Sequence, residues 1–329
     1  MQKEFEYTNH LRDIDHVVSR LTVGKEGAIS DPVVAVIMPV YNHPDFFRKS
    51  LISVLNQKCN FEYEIVILDN CHPDFQQRNQ KIVEELYCTR IRYYINEENI
   101  GGVGSENRGA QLTNAEYITY CHDDDMLTEN ALQILIGYSQ YITNSDSAIW
   151  GNLCVIDEND RPMKRYDEWK TIFLRRKNHY RVTMYDFLEK NYTNGCGSLY
   201  KRDKLLEIGG FNSDYIPCPD YALNVKYTSL YGSYAIRDIT LRYRSSTQSD
   251  SSSAYIHIAD AIKKIRDNIL KGGYISRLFP RLFLKSNLIC NEYHLYAKWS
   301  EKPKGLSFYF HRLNNRLWML TLQVARSLR

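Results

Sequence analysis

Apolar and polar positions along the first half of the chain switch repeatedly between a strand pattern and a helix pattern. Val33 to Val40 (VVAVIMPV) is an unbroken apolar run, which predicts a strand covered on both faces, as parallel strands are. Pro39 lies at its far end, where a missing ladder donor is tolerated. Tyr41-Asn42-His43-Pro44 then turns into a predicted helix, with Pro44 at its first position and Phe47, Leu51, Val54 and Leu55 at helical spacing. A second strand is expected from Tyr63 to Leu68, running into Asp69-Asn70. A second helix follows from Asp74 to Tyr87, and a third strand from Arg90 to Ile95. Tyr117 to Tyr120 mixes aromatic and β-branched residues as a short buried strand does. Thr128 is expected to cap a helix reaching Ile142, and Ala148 to Ile156 reads as another strand. The alternation predicts a doubly wound α/β sheet, in which ligands bind at the carboxyl ends of the strands.

The flanks differ. Residues 1 to 31 are mixed and polar, with one helix expected around Asp13 to Leu21 and a connector at Gly24 and Gly27. Residues 254 to 329 look helical, with Leu313, Leu317, Leu320 and Val324 forming one stripe and Arg277, Arg281 and Lys285 set among Leu and Phe. The net charge of +3 hides an asymmetry. Residues 261 to 329 carry fourteen Lys or Arg against three Asp or Glu, which leaves twenty-eight basic against thirty-six acidic in the rest. This tail is expected either to cap the fold or to dock on an anionic membrane surface. The acidic body argues against a nucleic-acid partner.

Composition is that of a soluble protein, 43% hydrophobic and 25% charged, with 26 tyrosines. The eight cysteines, at 59, 71, 88, 121, 154, 196, 218 and 290, show no C-x-x-C pair and no regular spacing. Reduced thiols are therefore expected, not disulfides or zinc. The N-terminus is too polar for a signal peptide, and no run approaches the ~20 apolar residues that span a bilayer. A cytoplasmic location is expected, with peripheral contact to the inner face of the plasma membrane if the tail docks there.

Candidate chemistry concentrates at predicted strand ends. Asp123-Asp124-Asp125 crowds three carboxylates where a strand must stop. A hard divalent cation with oxygen ligands is the usual answer to such crowding, and an acidic helix-capping turn is the alternative. Asn99 to Gly109 (NIGGVGSENRG) is a glycine-rich approach to a helix, which lets backbone amides come close to a ligand. It is neither G-x-G-x-x-G after a first strand nor a P-loop. Residues 161 to 182 interleave Arg161, Lys164, Arg165, Lys170, Arg175, Arg176, Lys177 and Arg181 with Tyr166, Trp169 and Tyr180, as a loop over an anionic substrate would. Thr193 to Tyr200 and Ile208-Gly209-Gly210-Phe211-Asn212 frame a short strand, a helix and a glycine stop. Pro219-Asp220 then opens another helix.

The order of Pro39-Val40-Tyr41-Asn42, Asp69, Asn99…Gly102…Asn107…Gly109, Asp123-Asp124-Asp125 and Gly209-Gly210-Phe211…Asp220 resembles the family 2 glycosyltransferases over roughly residues 33 to 245. The resemblance implies a GT-A fold, a Rossmann-like doubly wound mixed sheet, here in residues 32–250 as the catalytic domain. Residues 1–31 become an N-terminal extension and 251–329 a basic helical C-terminal appendage. It also implies an inverting transfer of one sugar from a nucleotide-sugar donor, with UDP the favoured nucleotide, to a glycan or polyprenyl-diphosphate-linked acceptor in surface polysaccharide synthesis. Pro39, Tyr41, Asn42, Asn99, Gly102, Asn107 and Asp123 would bind the donor, and Asp69 would hydrogen-bond its base. Asp124 and Asp125 would hold Mn²⁺ or Mg²⁺ and Asp220 would be the catalytic base. Arg242 and Arg244 are expected after the last strand of the domain, where Arg244 would reach the diphosphate; a solvated basic strand end is the alternative.

Two departures stand out. Pro219 precedes the base where the family commonly has Glu, and His122 stands where the metal motif commonly begins with Asp; His122 is expected to donate to a neighbouring carboxylate or phosphate. The Gln-x-x-Arg-Trp motif of processive members is absent, which implies single-sugar transfer. Two other readings are a non-catalytic carbohydrate-binding or scaffold relative and a nucleotidyltransferase that makes nucleotide sugars. The latter would want a glycine-rich loop with a basic residue after the first strand, which Tyr41-Asn42-His43-Pro44 is not.

Overall fold

The computed structural model describes residues 9–70, 72–142, 144–163, 178–189, 191, 195–245 and 255–271. The expectations placed on residues 164–177, on Thr193 and Asn194, and on the basic tail from 272 to 329 lie outside the described residues. In chain order the elements are β1 (Ser19–Val23), β2 (Val34–Val40), α1 (Pro44–Leu55), β3 (Tyr63–Asp69), α2 (Gln76–Glu85), β4 (Ile91–Asn96), α3 (Gly101–Leu112), β5 (Tyr117–Tyr120), β6 (Met126–Leu127) and α4 (Ala131–Tyr141). There follow β7 (Ala148–Ile156), β8 (His179–Val182), α5 (Met184–Glu189), β9 (Ser198–Lys201), α6 (Arg202–Glu207), α7 (Pro219–Tyr231), β10 (Ser233–Arg244) and α8 (Tyr255–Lys271).

The strands lie in the order β1-β4-β3-β2-β5-β9-β7-β10-β6, with β8 also paired to β10. β4, β3, β2 and β5 are mutually parallel, and every residue of β2 and β3 is buried, as the unbroken apolar run of β2 requires and with Glu64 and Asp69 among the buried residues of β3. β9 is antiparallel to both β5 and β7, and β7 and β10 run parallel again. The chain winds outward from β2 through β3 to β4, then returns to place β5 on the other side of β2. That reversal opens a crevice beyond the carboxyl ends of β2 and β5. β5 pairs only with Val34 to Ile37 of β2, so Pro39 stands where one side of its strand is already unladdered. α3 seats closely on this part of the sheet: a Cβ at Gly109 would run into the Ile37 side chain. Overpacking there would cost roughly 1–3 kcal/mol.

Three expectations change. The helix expected over Asp13 to Leu21 is not formed; Ser19–Val23 is a strand, paired antiparallel to β4 with Ser19 opposite Asn96. Its burial alternates along SRLTV, a period of two that half-covers an edge strand. Thr128 does not cap α4, which begins at Ala131; its hydroxyl donates to Ile239 O at 2.8 Å and ties β10 to the end of the acidic loop. Arg242 and Arg244 lie within β10, not after it, because β7 and β6 extend the ladder to that end. In the C-terminal region, α8 packs Ile265 and Ile269 fully into the core, and Asn268 Nδ2 donates to Tyr215 OH at 2.9 Å. No described helix is long and apolar enough to cross a membrane.

Candidate active site

Seven residues singled out from the sequence line one cleft of about 410 Å³: Pro39, Tyr41, Asn42, Asn99, Gly102, Asp123 and Asp124. Val40, His43, Asn70, Gly101 and His122 complete it. Four strand or helix ends supply it, those of β2, β3, β5 and α3, which is what the topological switch brings together. The Tyr41 backbone N–H donates to Asp123 Oδ2 at 3.0 Å, so the turn after β2 and the acidic loop after β5 hold each other. Tyr41 sets its ring edge-on to His72 at 4.8 Å, and His72 stacks on Phe75 at 4.5 Å. Asn99 Oδ1 accepts from Gly101 N at 2.8 Å, starting α3 at a glycine with φ +70°. Gly101 and Gly102 are exposed there, presenting a bare helix N-terminus to the cleft, a favourable place for an anion.

The acidic loop carries more negative charge than its surroundings offset. Burial, reinforced by the charge of Asp124, pushes Asp123 up to about 6 and Asp125 up to about 8. Asp125 Oδ1 accepts from the Arg244 backbone N–H at 2.9 Å, and Asp124 is the partly open member that faces the cleft. Clustered carboxylate oxygens whose charge burial and close neighbours disfavour form a donor set suited to a hard divalent cation. His122 has the partner expected of it: its Nε2 lies 2.9 Å from Glu106 Oε1, a buried carboxylate on α3. Burial acts to depress this imidazole, but the acidic neighbours Cys196 and Glu106 outweigh it and hold it well above its ordinary value.

Asp220 is not a helix cap. The N-cap of α7 is Cys218, with no side-chain cap bond, and Asp220 Oδ2 instead accepts from Asn191 Nδ2 at 2.7 Å. Withdrawal from water pushes Asp220 up to about 6, against the lowering effect of hydrogen bonds from Tyr221 N–H and Asn191. It feels the charges of Glu106 and His122, which sets it near the acidic loop but outside the residues that line the cleft.

Other predicted site residues are committed elsewhere. Asp69 is fully buried and its Oδ2 accepts from Tyr93 OH at 2.6 Å and Asn79 Nδ2 at 3.0 Å. Asn107 does not face the cleft: Oδ1 accepts from Phe211 N at 2.8 Å and Nδ2 donates to Phe211 O at 2.9 Å. It pins the Gly209-Gly210-Phe211 turn, where a Cβ on Gly210 would strike Asn107. The Arg244 guanidinium, fully buried, donates from Nε to Asp124 O at 2.8 Å and from Nη1 to Asp157 O at 2.9 Å, and pairs through Nη2 with Asp160 at 2.6 Å. It braces the acidic loop from behind. Sequence reasoning missed Asn70, Glu106 and Asn191. Asn70 accepts from Asn96 Nδ2 and Ser105 Oγ, both at 3.0 Å, while donating to Gly101 O at 3.3 Å. Its position directly after Asp69 was the one available signal.

A doubly wound sheet with an acidic loop at its switch point and a carboxylate on a later helix defines the GT-A class of fold. S. aureus TarS 1-349 in complex with UDP-GlcNAc aligns with a TM-score of 0.59 at 16% identity, over 81% of this chain and 73% of that one. The same protein in complex with UDP aligns over 90% and 91% with a TM-score of 0.51 at 14% identity. Residues 35–209, more than half of the chain, match the model for Glycosyl transferase family 2, and the chain belongs to that family. It is 31% identical over 113 residues to the putative colanic acid biosynthesis glycosyl transferase WcaA of Escherichia coli (strain K12), covering 34% of this chain and 40% of that one. To the GalNAc(5)-diNAcBac-PP-undecaprenol beta-1,3-glucosyltransferase of Campylobacter jejuni it is 27% identical over 187 residues, 56% of each. The chain thus spans between two fifths and just over half the length of these relatives.

Proposed function

We propose that the chain is an inverting, metal-dependent glycosyltransferase that moves one hexosyl or N-acetylhexosaminyl group from a UDP-sugar to a hydroxyl of a glycan or polyprenyl-diphosphate-linked acceptor. Its setting would be the cytoplasmic stage of surface polysaccharide synthesis. The observation that carries this reading is the convergence of Tyr41, Asn42, Gly102, Asp123 and Asp124 on one cleft at the switch point, with the carboxylate of Asp220 set apart on α7. The UDP and UDP-GlcNAc complexes of TarS and the lipid-linked acceptor in the name of the Campylobacter relative support the choice of donor and acceptor.

In this reading the turn after β2 holds the nucleotide, with the rim ring of Tyr41 beside it, and the bare N-terminus of α3 faces the diphosphate. Asp124, with Asp125, would hold Mn²⁺ or Mg²⁺. Such an ion, when bound, supplies Lewis-acid neutralisation of the charge that develops on the leaving diphosphate. Asp220 removes the proton from the acceptor hydroxyl. Its raised value of about 6 leaves it ionised at neutral pH yet more basic than an ordinary Asp, which suits a general base.

The test is a calorimetric titration of UDP, with Mn²⁺ and then with EDTA, into the wild type and Asp124→Ala. Binding that needs both the metal and Asp124 is the expected result. Absence of UDP binding under every condition removes the UDP donor from the proposal.

A further inference from the structure

One ring nitrogen of His122, a carboxylate oxygen of Asp125 and Sγ of Cys196 lie within 4.8 Å of one another. The spacing of the cysteines gave no hint of this, because Cys196 meets the acidic loop only through the sheet. Gly197 N donates to Tyr120 O at 2.9 Å and Cys196 bridges to Tyr120, which fixes the thiol against the end of β5. Asp125 is held from the other side by the backbone N–H of Arg244. A second, independent feature points to a ligand. His122 Nε2 is engaged by the buried carboxylate of Glu106, the arrangement that orients a ligating imidazole, and the ring also hydrogen-bonds Cys196, a contact that a bound ion would replace.

We propose that His122, Asp125 and Cys196 form a binding site for a borderline-soft divalent cation of the zinc class, distinct in chemistry from the hard-cation donor set of the carboxylates. Nitrogen, carboxylate oxygen and thiolate sulfur together are a zinc set, whereas Mn²⁺ and Mg²⁺ favour oxygen alone. Three protein ligands leave a fourth position for water. Binding displaces the protons that the free site holds, from Sγ of Cys196, from the coordinating ring nitrogen of His122 and from the carboxyl of Asp125, and releases them to solvent; nothing is oxidised or reduced. Because Asp125 belongs to both sets, a zinc-class ion withdraws it from the acidic loop. On the donor reading above, zinc therefore competes with Mn²⁺ and slows transfer.

The experiment is a Co²⁺ titration of the full chain, stripped of metal and kept reduced, with no nucleotide present, so that its result is independent of the UDP titration. A thiolate-to-cobalt charge-transfer band saturating at one ion per chain is expected in the wild type and in Asp124→Ala, and its loss is expected in Cys196→Ser. Glu106→Gln should weaken the ion roughly 10–100-fold, as outer-sphere partners of ligating histidines do. His122→Ala is the second variant, and should lose the four-coordinate visible spectrum with its far-ultraviolet dichroism intact. The proposal is overturned by a wild type with no thiolate band, by a band that persists in Cys196→Ser, or by unchanged affinity in His122→Ala.

Discussion

Replacing Arg244 by glutamine is expected to lower the thermal midpoint of the protein and to loosen the acidic loop, with donor binding affected only through that loop. The guanidinium is fully buried and donates to two backbone carbonyls, Asp124 O and Asp157 O, at 2.8 and 2.9 Å. Hydrogen bonds to a charged group contribute about 1.5–3 kcal/mol each, and a carbonyl left without a donor costs about 1–3. The cation also lies over the Phe46 ring, 4.4 Å from its centroid, a contact worth about 0.5–2 kcal/mol. The ion pair to Asp160 adds less, because that carboxylate is 31% exposed and keeps Lys49 Nζ at 2.7 Å. Glutamine restores one donor at best. The net loss comes to roughly 3 kcal/mol, close to the low end for breaking a buried charged contact.

At about 2.1 cal/mol/K of unfolding entropy per residue, a chain of 329 residues shifts by roughly 1.5 °C per kcal/mol, so the midpoint should fall by roughly 4–5 °C, read by scanning calorimetry in EDTA without nucleotide. The wild-type guanidinium reaching the diphosphate, as the sequence suggested, would give a different result. The substitution would leave the midpoint of the free protein alone and weaken UDP binding. An unchanged midpoint with weaker UDP binding would refute the bracing role.

Asp220→Asn should reduce turnover roughly 10²–10⁴-fold with UDP binding retained, and wild-type kcat/KM should fall as the pH drops below about 6, where Asp220 takes up its proton. Asp125, raised to about 8 when folded and near its ordinary value when unfolded, binds its proton more tightly in the folded state. Its contribution therefore erodes stability as pH rises from about 4 to about 8. In EDTA, Asp125→Asn should flatten that slope and raise the thermal midpoint at pH 8. Asn107→Ala orphans both the N–H and the C=O of Phe211 in a buried site, and should cost roughly 2–4 kcal/mol by denaturant titration.

These substitutions fall on two kinds of residue, and they were unequally legible from the sequence. Strands buried on both faces declare themselves through local pattern alone, and β7 was placed residue for residue at Ala148–Ile156. β1 hid because an edge strand is half polar and its partner, β4, lies more than seventy residues away. The cleft lining could be read because a doubly wound sheet puts ligands at strand ends, and strand ends are local features. Residues that hold other residues could not be read, since their partners are distant: Asn107 grips Phe211, Asn191 reaches Asp220, and Arg244 braces Asp124 and Asp157. An amide can read a base or a backbone, and a guanidinium can bind a diphosphate or a pair of carbonyls, with the same donors in either case. Residue type therefore leaves the choice open, and the fold makes it. His122 shows how far this reaches. From the sequence alone the histidine was a departure expected to donate to a neighbouring carboxylate or phosphate, and Glu106, a buried carboxylate on α3, is that neighbour. The loop therefore keeps an acid beside that position, supplied from a different element, and the imidazole turns an all-oxygen corner into one that also offers nitrogen and, through Cys196, sulfur.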